Sequence, residues 1–139
     1  MKLNCSQSKL AEAVTNVQRA VSSKTSLPAL EGILIKAYKN QITLCGYDLE
    51  IGITTVIDAD VVTEGEIVVS AKLLGDIVRR LPEENVHIET DDRLITYIFS
   101  GQAEYRIVGI SSAEYPELPS FEKTDTLTIQ SGLLKNMIK

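Results

Sequence analysis

The sequence has no tryptophan, two phenylalanines and one histidine, so large aromatic rings contribute little to any core it forms. Apolar residues nevertheless make up 44% of the 139 residues, and most of them are aliphatic. A chain of this length can bury a sizeable core without disulfides or bound metal. Because Ile and Val pack well on pleated sheets, this composition predicts one domain with substantial β-structure.

Long apolar runs are also missing. No stretch approaches the length of a membrane-spanning helix, and the first ten residues lack the apolar core of a secretory signal. Cys5 and Cys45 each lie in an apolar, strand-like run without a neighbouring Cys or His. We therefore expect a cytoplasmic protein without membrane contact, with two buried free thiols instead of a disulfide.

A basic excess is absent as well, because 14 Lys and Arg stand against 19 Asp and Glu, for a formal net charge of −5. Proteins that hold nucleic acid through phosphate contacts alone are usually basic. The charge therefore argues against simple electrostatic binding to nucleic acid, and any DNA-binding role must account for it.

No arrangement of residues typical of an enzyme is present. His87 has no Ser or Cys motif around it, and the glycines form neither a P-loop nor a dinucleotide-binding motif. Asp48 and Glu50 form an acidic pair without a third ligand at a metal-binding spacing, and a turn role is expected for Asp48. We expect a binding or scaffold protein without metal or cofactor. A small enzyme using Asp48, Glu50 or His87 is an alternative.

The order of predicted elements repeats along the chain. The first set is strand 2–6, a helix with the apolar stripe Leu10, Val14, Val17 and Val21, and three strands after a loop at 22–32. The second set follows a connection at 58–65 and has a helix that Pro82 ends. The strands of the first set are predicted at 33–38, 42–47 and 49–57. The second set comprises strand 66–70, helix 71–81 and strands 86–90, 94–99 and 103–110.

Residue matches between the two sets indicate an internal duplication. Ile35 and Ile88, Ile42 and Ile95, and Thr43 and Thr96 are each 53 residues apart, while Lys9–Leu10 match Lys72–Leu73 in the helices. The pattern predicts an α+β fold with a duplicated βαβββ unit and two helices side by side on one face of antiparallel sheets.

The last segment begins the same unit a third time. LTIQSGLLKNMIK (127–139) resembles IVVSAKLLGDIV (67–78), and the polar, proline-containing stretch 111–126 reads as an interdomain linker. We therefore expect a first domain at 1–122, the start of a second domain at 123–139, and a longer protein beyond Lys139.

The outer sides of the two predicted helices share basic residues, and Lys24 lies just past the first helix. The acidic residues are mostly elsewhere, so an acidic protein can present a locally basic helical face. The alternative is that these are ordinary solvated helix charges. The helix residues concerned are Lys9, Arg19, Lys72, Arg79 and Arg80.

Four stretches, in collinear order, resemble the first domain of bacterial DNA polymerase III beta subunits, which are sliding clamps. They are TSLPALEGILI (25–35), LCGYDLE (44–50), VSAKLLGDIVRRLP (69–82) and AEYPELP (113–119). Tyr47 departs from the family pattern, which usually has Thr at that place. Together the stretches span nearly the whole chain.

The resemblance implies a DNA clamp fold in which three duplicated domains form a subunit and two subunits close a ring. It implies a non-catalytic processivity factor that encircles duplex DNA and tethers the replicative polymerase. A ring holds DNA by topology, so it needs no strong phosphate contacts, and this reconciles the net negative charge with DNA binding. The alternative is a non-DNA interaction module built from duplicated sheet units.

The resemblance also implies roles for particular residues. Lys24, Lys72 and Arg79 match basic positions of the family and are expected to face the hole and meet DNA phosphates without base readout. Lys9 and Arg19 are additional candidates for the same role.

A homodimer closed head to tail is implied too, with the edge strand 103–108 meeting the partner subunit. Gln102 and Glu104 stand where some members have basic residues, and Ile107 can equally be a core residue. The family's pocket for DNA polymerase III and clamp-loader peptides lies in later domains, so neither partner is expected to bind this chain. The apolar candidates for the dimer interface are Leu73, Leu74, Tyr105 and Ile107.

Overall fold

The computed structural model describes residues 1–119 and 126–138. The strands are β1 (Lys2–Ser6), β2 (Gly32–Tyr38), β3 (Gln41–Tyr47), β4 (Gly52–Asp58), β5 (Asp60–Thr63), β6 (Gly65–Ser70), β7 (Asn85–Thr90), β8 (Ile95–Ser100) and β9 (Ala103–Val108). The helices are α1 (Gln7–Gln18), α2 (Ala71–Arg79) and α3 (Ser131–Ile138). Strand β1 leads directly into helix α1, and strand β6 leads directly into helix α2. A 3₁₀ turn at Pro28–Glu31 precedes β2, and another at Ser112–Glu114 follows β9.

The strands form two antiparallel sheets, with orders β5-β1-β7-β8-β9 and β4-β3-β2-β6. The two repeated units exchange their first strands. Strand β1 of the first unit pairs with β7 of the second, and strand β6 of the second unit pairs with β2 of the first. The predicted α+β fold with a duplicated unit is confirmed. The predicted connection at 58–65 is wrong in part, because β5 extends the first sheet beside β1.

The register of the duplication differs from the predicted one. Leu3 pairs with Ile88, and Ile67 pairs with Ile35, which is the counterpart of Ile88 in the first unit. Leu3 therefore corresponds to Ile67, so the first strands and the helices of the two units are offset by 64 residues. Leu10 therefore corresponds to the buried Leu74, whereas the predicted match, Leu73, is half exposed. The matches of Ile42 with Ile95 and of Thr43 with Thr96 are also wrong. Ala37 and Thr90 are counterparts in the two units, but Ala37 pairs with Ile42 whereas Thr90 pairs with Thr96. The hairpin of β7 and β8 therefore contains one residue more than the hairpin of β2 and β3.

One core cluster lies between the two helices and the inner faces of both sheets. A second cluster covers the outer face of the four-stranded sheet and contains Leu30, Leu34 and Tyr115. The Tyr115 hydroxyl donates to the backbone oxygen of Cys45 at 3.4 Å. The part of the predicted linker up to Leu118 therefore packs on the domain, while the boundary predicted between residues 122 and 123 lies outside the described residues.

Cys5 and Cys45 are buried free thiols, as predicted. Burial, assisted by the nearby Glu84 carboxylate, raises the pKa of Cys5 to about 12. Because the thiolate is the nucleophilic form, this shift makes Cys5 unreactive at neutral pH.

Residues 126–138 contain α3, and every residue of this segment is exposed. The helix predicted for the third repeat is confirmed, whereas its predicted strand is not present at 126–130. Within the described ranges, no helix is both long and apolar enough to cross a membrane.

Candidate nucleic-acid interface

Helices α1 and α2 lie side by side and run in opposite directions. The Gln7 side chain, at the start of α1, donates from Nε2 to the Val78 carbonyl near the end of α2 at 2.8 Å. The Gln18 side chain, at the end of α1, donates from Nε2 to the Ala71 carbonyl at the start of α2 at 2.7 Å. These two hydrogen bonds confirm the predicted side-by-side placement of the helices.

The local sequence explains why α1 begins and packs where it does. Ser6 caps α1, since its hydroxyl accepts from the Lys9 amide at 3.4 Å, and the helix then buries Leu10, Val14 and Val17. Gly46 of β3 allows the end of α1 to approach the sheet, because a Cβ there would overlap the backbone oxygen of Val17.

The exposed surface of the two helices is basic although the chain is acidic. We define the helix layer as residues 7–19 and 71–80, which are α1, α2 and the residues Arg19 and Arg80 that end them. It carries five basic and two acidic side chains, a net charge of +3, in a chain of net charge −5. All seven charged side chains are exposed: Lys9, Glu12, Arg19, Lys72, Asp76, Arg79 and Arg80.

Lys72 lines a groove of about 580 Å³ between the end of α1 and the start of α2. Ser22 and Ser23 also line the groove, and the Lys24 amide donates to the Ser22 hydroxyl at 3.1 Å. Lys24 is exposed and follows Ser23 in the chain, but it is not among the residues that line the groove. Glu31 and Asp76 also line the groove, so its charged lining residues are one basic and two acidic side chains.

Arg79 lies two turns after Lys72 on the same side of α2. Its Nη2 donates to the Gln18 Oε1 at 2.6 Å, and its Nη1 lies 3.9 Å from the Asp76 carboxylate. Both partners of this ion pair are about half exposed, so the pair contributes little to stability.

Lys9 and Arg19 do not join this groove. Lys9 lines a separate, smaller groove beside Thr55 and Val56 of β4, and Arg19 ends α1 with an exposed side chain. The five predicted DNA-contacting residues are therefore spread along the helix layer and its adjoining loop.

The structure narrows the predicted dimer-interface set. Strand β9 is an edge strand of the five-stranded sheet, and Tyr105 is half-buried on it. Ile107 is 4% exposed and Leu74 is 1% exposed, so both are core residues with no surface to offer another chain. Leu73 is 50% exposed and remains a candidate. Val108, which the sequence pattern did not single out, is 78% exposed at the end of the edge strand.

The residues of the enzyme alternative lie apart. Asp48 follows β3 of the four-stranded sheet, whereas His87 lies on β7 of the five-stranded sheet. Asp48 accepts from the amides of Glu50 and Ile51 at 2.9 and 2.6 Å, and these bonds lower the pKa of its carboxyl. This is the turn role predicted for Asp48. In the described part of the chain, no three His, Cys, Asp or Glu side chains gather into a possible metal site.

Two features of the helix layer were not predicted. The Glu84 carboxylate caps α1 from the loop after α2, accepting from the hydroxyls of Ser6 and Ser8 and from the Ser8 amide. These hydrogen bonds lower the pKa of Glu84. Gln7 and Gln18 link the two helices. No local signal in the sequence indicates either feature, because the partners are more than 50 residues apart.

Known proteins resemble this chain along its whole length. The family described as "DNA polymerase III beta subunit, N-terminal domain" matches residues 1–119. The beta sliding clamp of Bacillus subtilis is 37% identical over 147 aligned positions, which cover 100% of this chain and 39% of the relative. The beta sliding clamp of Synechocystis is 35% identical, with 100% and 38% covered.

Solved structures give the same picture. The crystal structure of the Bacillus subtilis DNA polymerase sliding clamp superposes with a TM-score of 0.97 and 36% identity, covering 99% of this chain and 38% of that one. The DNA polymerase III beta subunit of Thermotoga maritima superposes with a TM-score of 0.87 and 25% identity, covering 99% and 37%. The chain thus spans 37–39% of the length of these relatives.

Proposed function

Because this chain belongs to the DNA polymerase III beta subunit family, we propose that it forms one sector of a ring that encircles duplex DNA. The ring acts as a processivity factor and tethers the replicative polymerase to its template. Such a role is non-catalytic, and it places the protein in the cytoplasm with the chromosome.

The net charge of +3 on the helix layer is the observation that carries the proposal. Two antiparallel helices present this charge on one side of the domain, whereas the chain as a whole is acidic. A surface that lines a hole around DNA needs this sign of charge. A ring retains DNA by topology, so a modest positive surface suffices and leaves the ring able to slide.

Lys24, Lys72 and Arg79 contact the phosphates in this proposal, while Lys9 and Arg19 add weaker, more distant attraction. The contacts are independent of DNA sequence, because lysine and arginine side chains that reach phosphates do not read bases. The rival function is a non-DNA interaction module. No comparable observation supports it, because the net positive charge of the helix layer favours a polyanion as the partner.

Ring closure in this proposal uses the edge strand β9 and the exposed side chain of Leu73. Two subunits meet head to tail, with Tyr105 and Val108 on the strand contributing apolar contact area. The polymerase and the clamp loader bind elsewhere on the full-length subunit, so this chain alone does not capture their peptides.

Charge reversal tests the DNA contacts directly. In the full-length subunit loaded on closed circular DNA, Lys24→Glu with Lys72→Glu shortens the retention time, because two exposed positive charges are replaced by negative ones. Lys36→Glu is the matched control, since Lys36 is exposed on the face of the four-stranded sheet opposite the helices. Unchanged retention of the double variant, or equal loss with the control, contradicts the assignment.

A further inference from the structure

Gln18 makes two hydrogen bonds that join three parts of the helix pair. Its Nε2 donates to the Ala71 carbonyl at 2.7 Å, and its Oε1 accepts from the Arg79 Nη2 at 2.6 Å. A flipped amide would turn its NH₂ group toward the guanidinium and its oxygen toward the carbonyl. The two partners therefore fix the orientation of the Gln18 side chain.

Gly75 provides the space in which this junction forms. A Cβ at this position would overlap the Gln18 Nε2 and would lie 3.0 Å from the Arg79 Nη1. Glycine is a poor residue for a helix interior, so its presence in the middle of α2 needs a packing reason. The reason is a shallow slot across α2 that holds the Gln18 amide and the Arg79 guanidinium.

Gln18 fixes Arg79 without adding a negative charge of its own, and the one carboxylate paired with the guanidinium among the described residues is that of Asp76, 3.9 Å from Nη1 and about half exposed. Gln18 is neutral, whereas a Glu in its place would form an ion pair with the guanidinium. One N–H of the guanidinium is bonded to Gln18, which leaves donors of the planar fork for a phosphate. A side chain that is already ordered loses less conformational freedom when it binds.

We propose that Gln18 is a positioning residue for DNA binding, which holds the Arg79 guanidinium across Gly75 so that it meets a phosphate in a fixed geometry. This inference rests on the proposed function and goes beyond it, because Gln18 itself need not touch DNA. A purely structural Gln18 would only link α1 to α2 through the Ala71 carbonyl.

A double-mutant cycle separates these two roles. Gln18→Met removes both hydrogen bonds and retains the length of the side chain, and Arg79→Gln removes the charge. The probe is a short, open duplex of mixed sequence at low salt, binding the full-length subunit without topological retention. We expect Gln18→Met to weaken binding about twofold to tenfold when Arg79 is present, and to have no effect in the Arg79→Gln background. An equal effect in both backgrounds, or none in either, overturns the inference.

A second readout does not involve DNA. In nuclear magnetic resonance spectra of the 139-residue chain, the Arg79 guanidinium should show hindered rotation of its Nη groups, and Gln18→Met should abolish it. Gly75→Ala should do the same by displacing Gln18, although alanine favours the helix. Gly132→Ala in α3 is the matched control, because no atom lies within 4 Å of the added Cβ. Free rotation of the Arg79 guanidinium in the wild-type chain contradicts the inference.

The two proposals fail in different ways. If the wild-type subunit is not retained on closed circular DNA, the proposed function fails and the inference fails with it. If the subunit is retained there but does not bind the open duplex, the phosphate contact of Arg79 is lost and only the inference fails. If the subunit binds and Arg79→Gln weakens binding, but Gln18→Met does not, only the role of Gln18 is lost.

Discussion

Ser6 and Ser70 occupy equivalent places in the two halves of the molecule. Each is the last residue of a strand, and each hydroxyl accepts from the backbone amide three residues later, Lys9 at 3.4 Å and Leu73 at 3.3 Å. The two caps differ because the Glu84 carboxylate also accepts from the Ser6 hydroxyl, whereas Ser70 has no such carboxylate within the described residues.

This difference predicts unequal effects of two identical substitutions. Ser70→Ala should lower the free energy of unfolding by about 1 kcal/mol, the usual contribution of an N-cap. Ser6→Ala should lower it further, since Glu84 also loses a hydrogen bond. Urea unfolding of both variants of the 139-residue chain measures the difference. A smaller effect of Ser6→Ala than of Ser70→Ala would show that Glu84 adds nothing to the cap.

Glu84 gives the stability a specific pH dependence. Hydrogen bonds from the hydroxyls of Ser6 and Ser8 and from the Ser8 amide lower the pKa of Glu84 below its ordinary value of 4.5. A depressed folded-state pKa stabilises the fold above about pH 4.5, and this contribution disappears as the pH falls through the folded-state pKa. Glu84→Gln should therefore be less stable than wild type at pH 7, and the difference should close on acidification.

Denaturant unfolding at a series of pH values checks this prediction. Glu83→Gln is the neighbouring control, because the Glu83 carboxylate has no hydrogen-bond partner among the described residues. A stability difference between wild type and Glu84→Gln that stays constant from pH 7 to acid pH would rule out the proposed linkage.

Leu73 and Leu74 are adjacent in sequence but differ in environment. Leu74→Ala should lower the free energy of unfolding by about 2–5 kcal/mol, because it leaves a cavity in the core. Leu73→Ala should change it by less than about 0.5 kcal/mol, as for most surface positions. In the full-length subunit, Leu73→Ala should instead weaken dimerisation, which sedimentation measures. A dimer of unchanged affinity would remove Leu73 from the proposed interface.

Gly46 tests how closely α1 approaches the sheet. Gly46→Ala should lower the free energy of unfolding by about 1–3 kcal/mol, since the new methyl group overlaps the Val17 carbonyl oxygen and the helix must move. Gly132→Ala serves again as the control with open space around it. Thermal unfolding of the two variants gives the comparison, and a stable Gly46→Ala chain would show that α1 can shift at little cost.

Periodicity predicted most of the helices and strands because each element buries one face. The stripe Leu10, Val14 and Val17 located α1, and the alternation in β7 located Val86 and Ile88. Strand β5 was missed because it is four residues long, lies at a sheet edge and shows no buried alternation. The exchange of first strands between units was not predictable, because alternation shows that a strand has a buried face but not which distant strand it pairs with.

The candidate site was predictable only in part. The basic positions of the helix layer follow from helical spacing and from the family resemblance. The side chains that organise them, Gln18 and Glu84, act on partners distant in sequence, so only the folded chain identifies them. Burial removed Leu74 and Ile107 from the interface, since an apolar residue in a pattern can lie in a core or on a surface.

Enclosure of DNA by the full-length subunit is the basis of the proposed function. The most direct test loads the subunit onto circular duplex DNA and compares its release before and after one cut by a restriction enzyme. Enclosure predicts long retention on the closed circle and rapid loss from the ends of the linear form, even in salt that screens phosphate contacts. Equal rates of release from circular and linear DNA would contradict the claim.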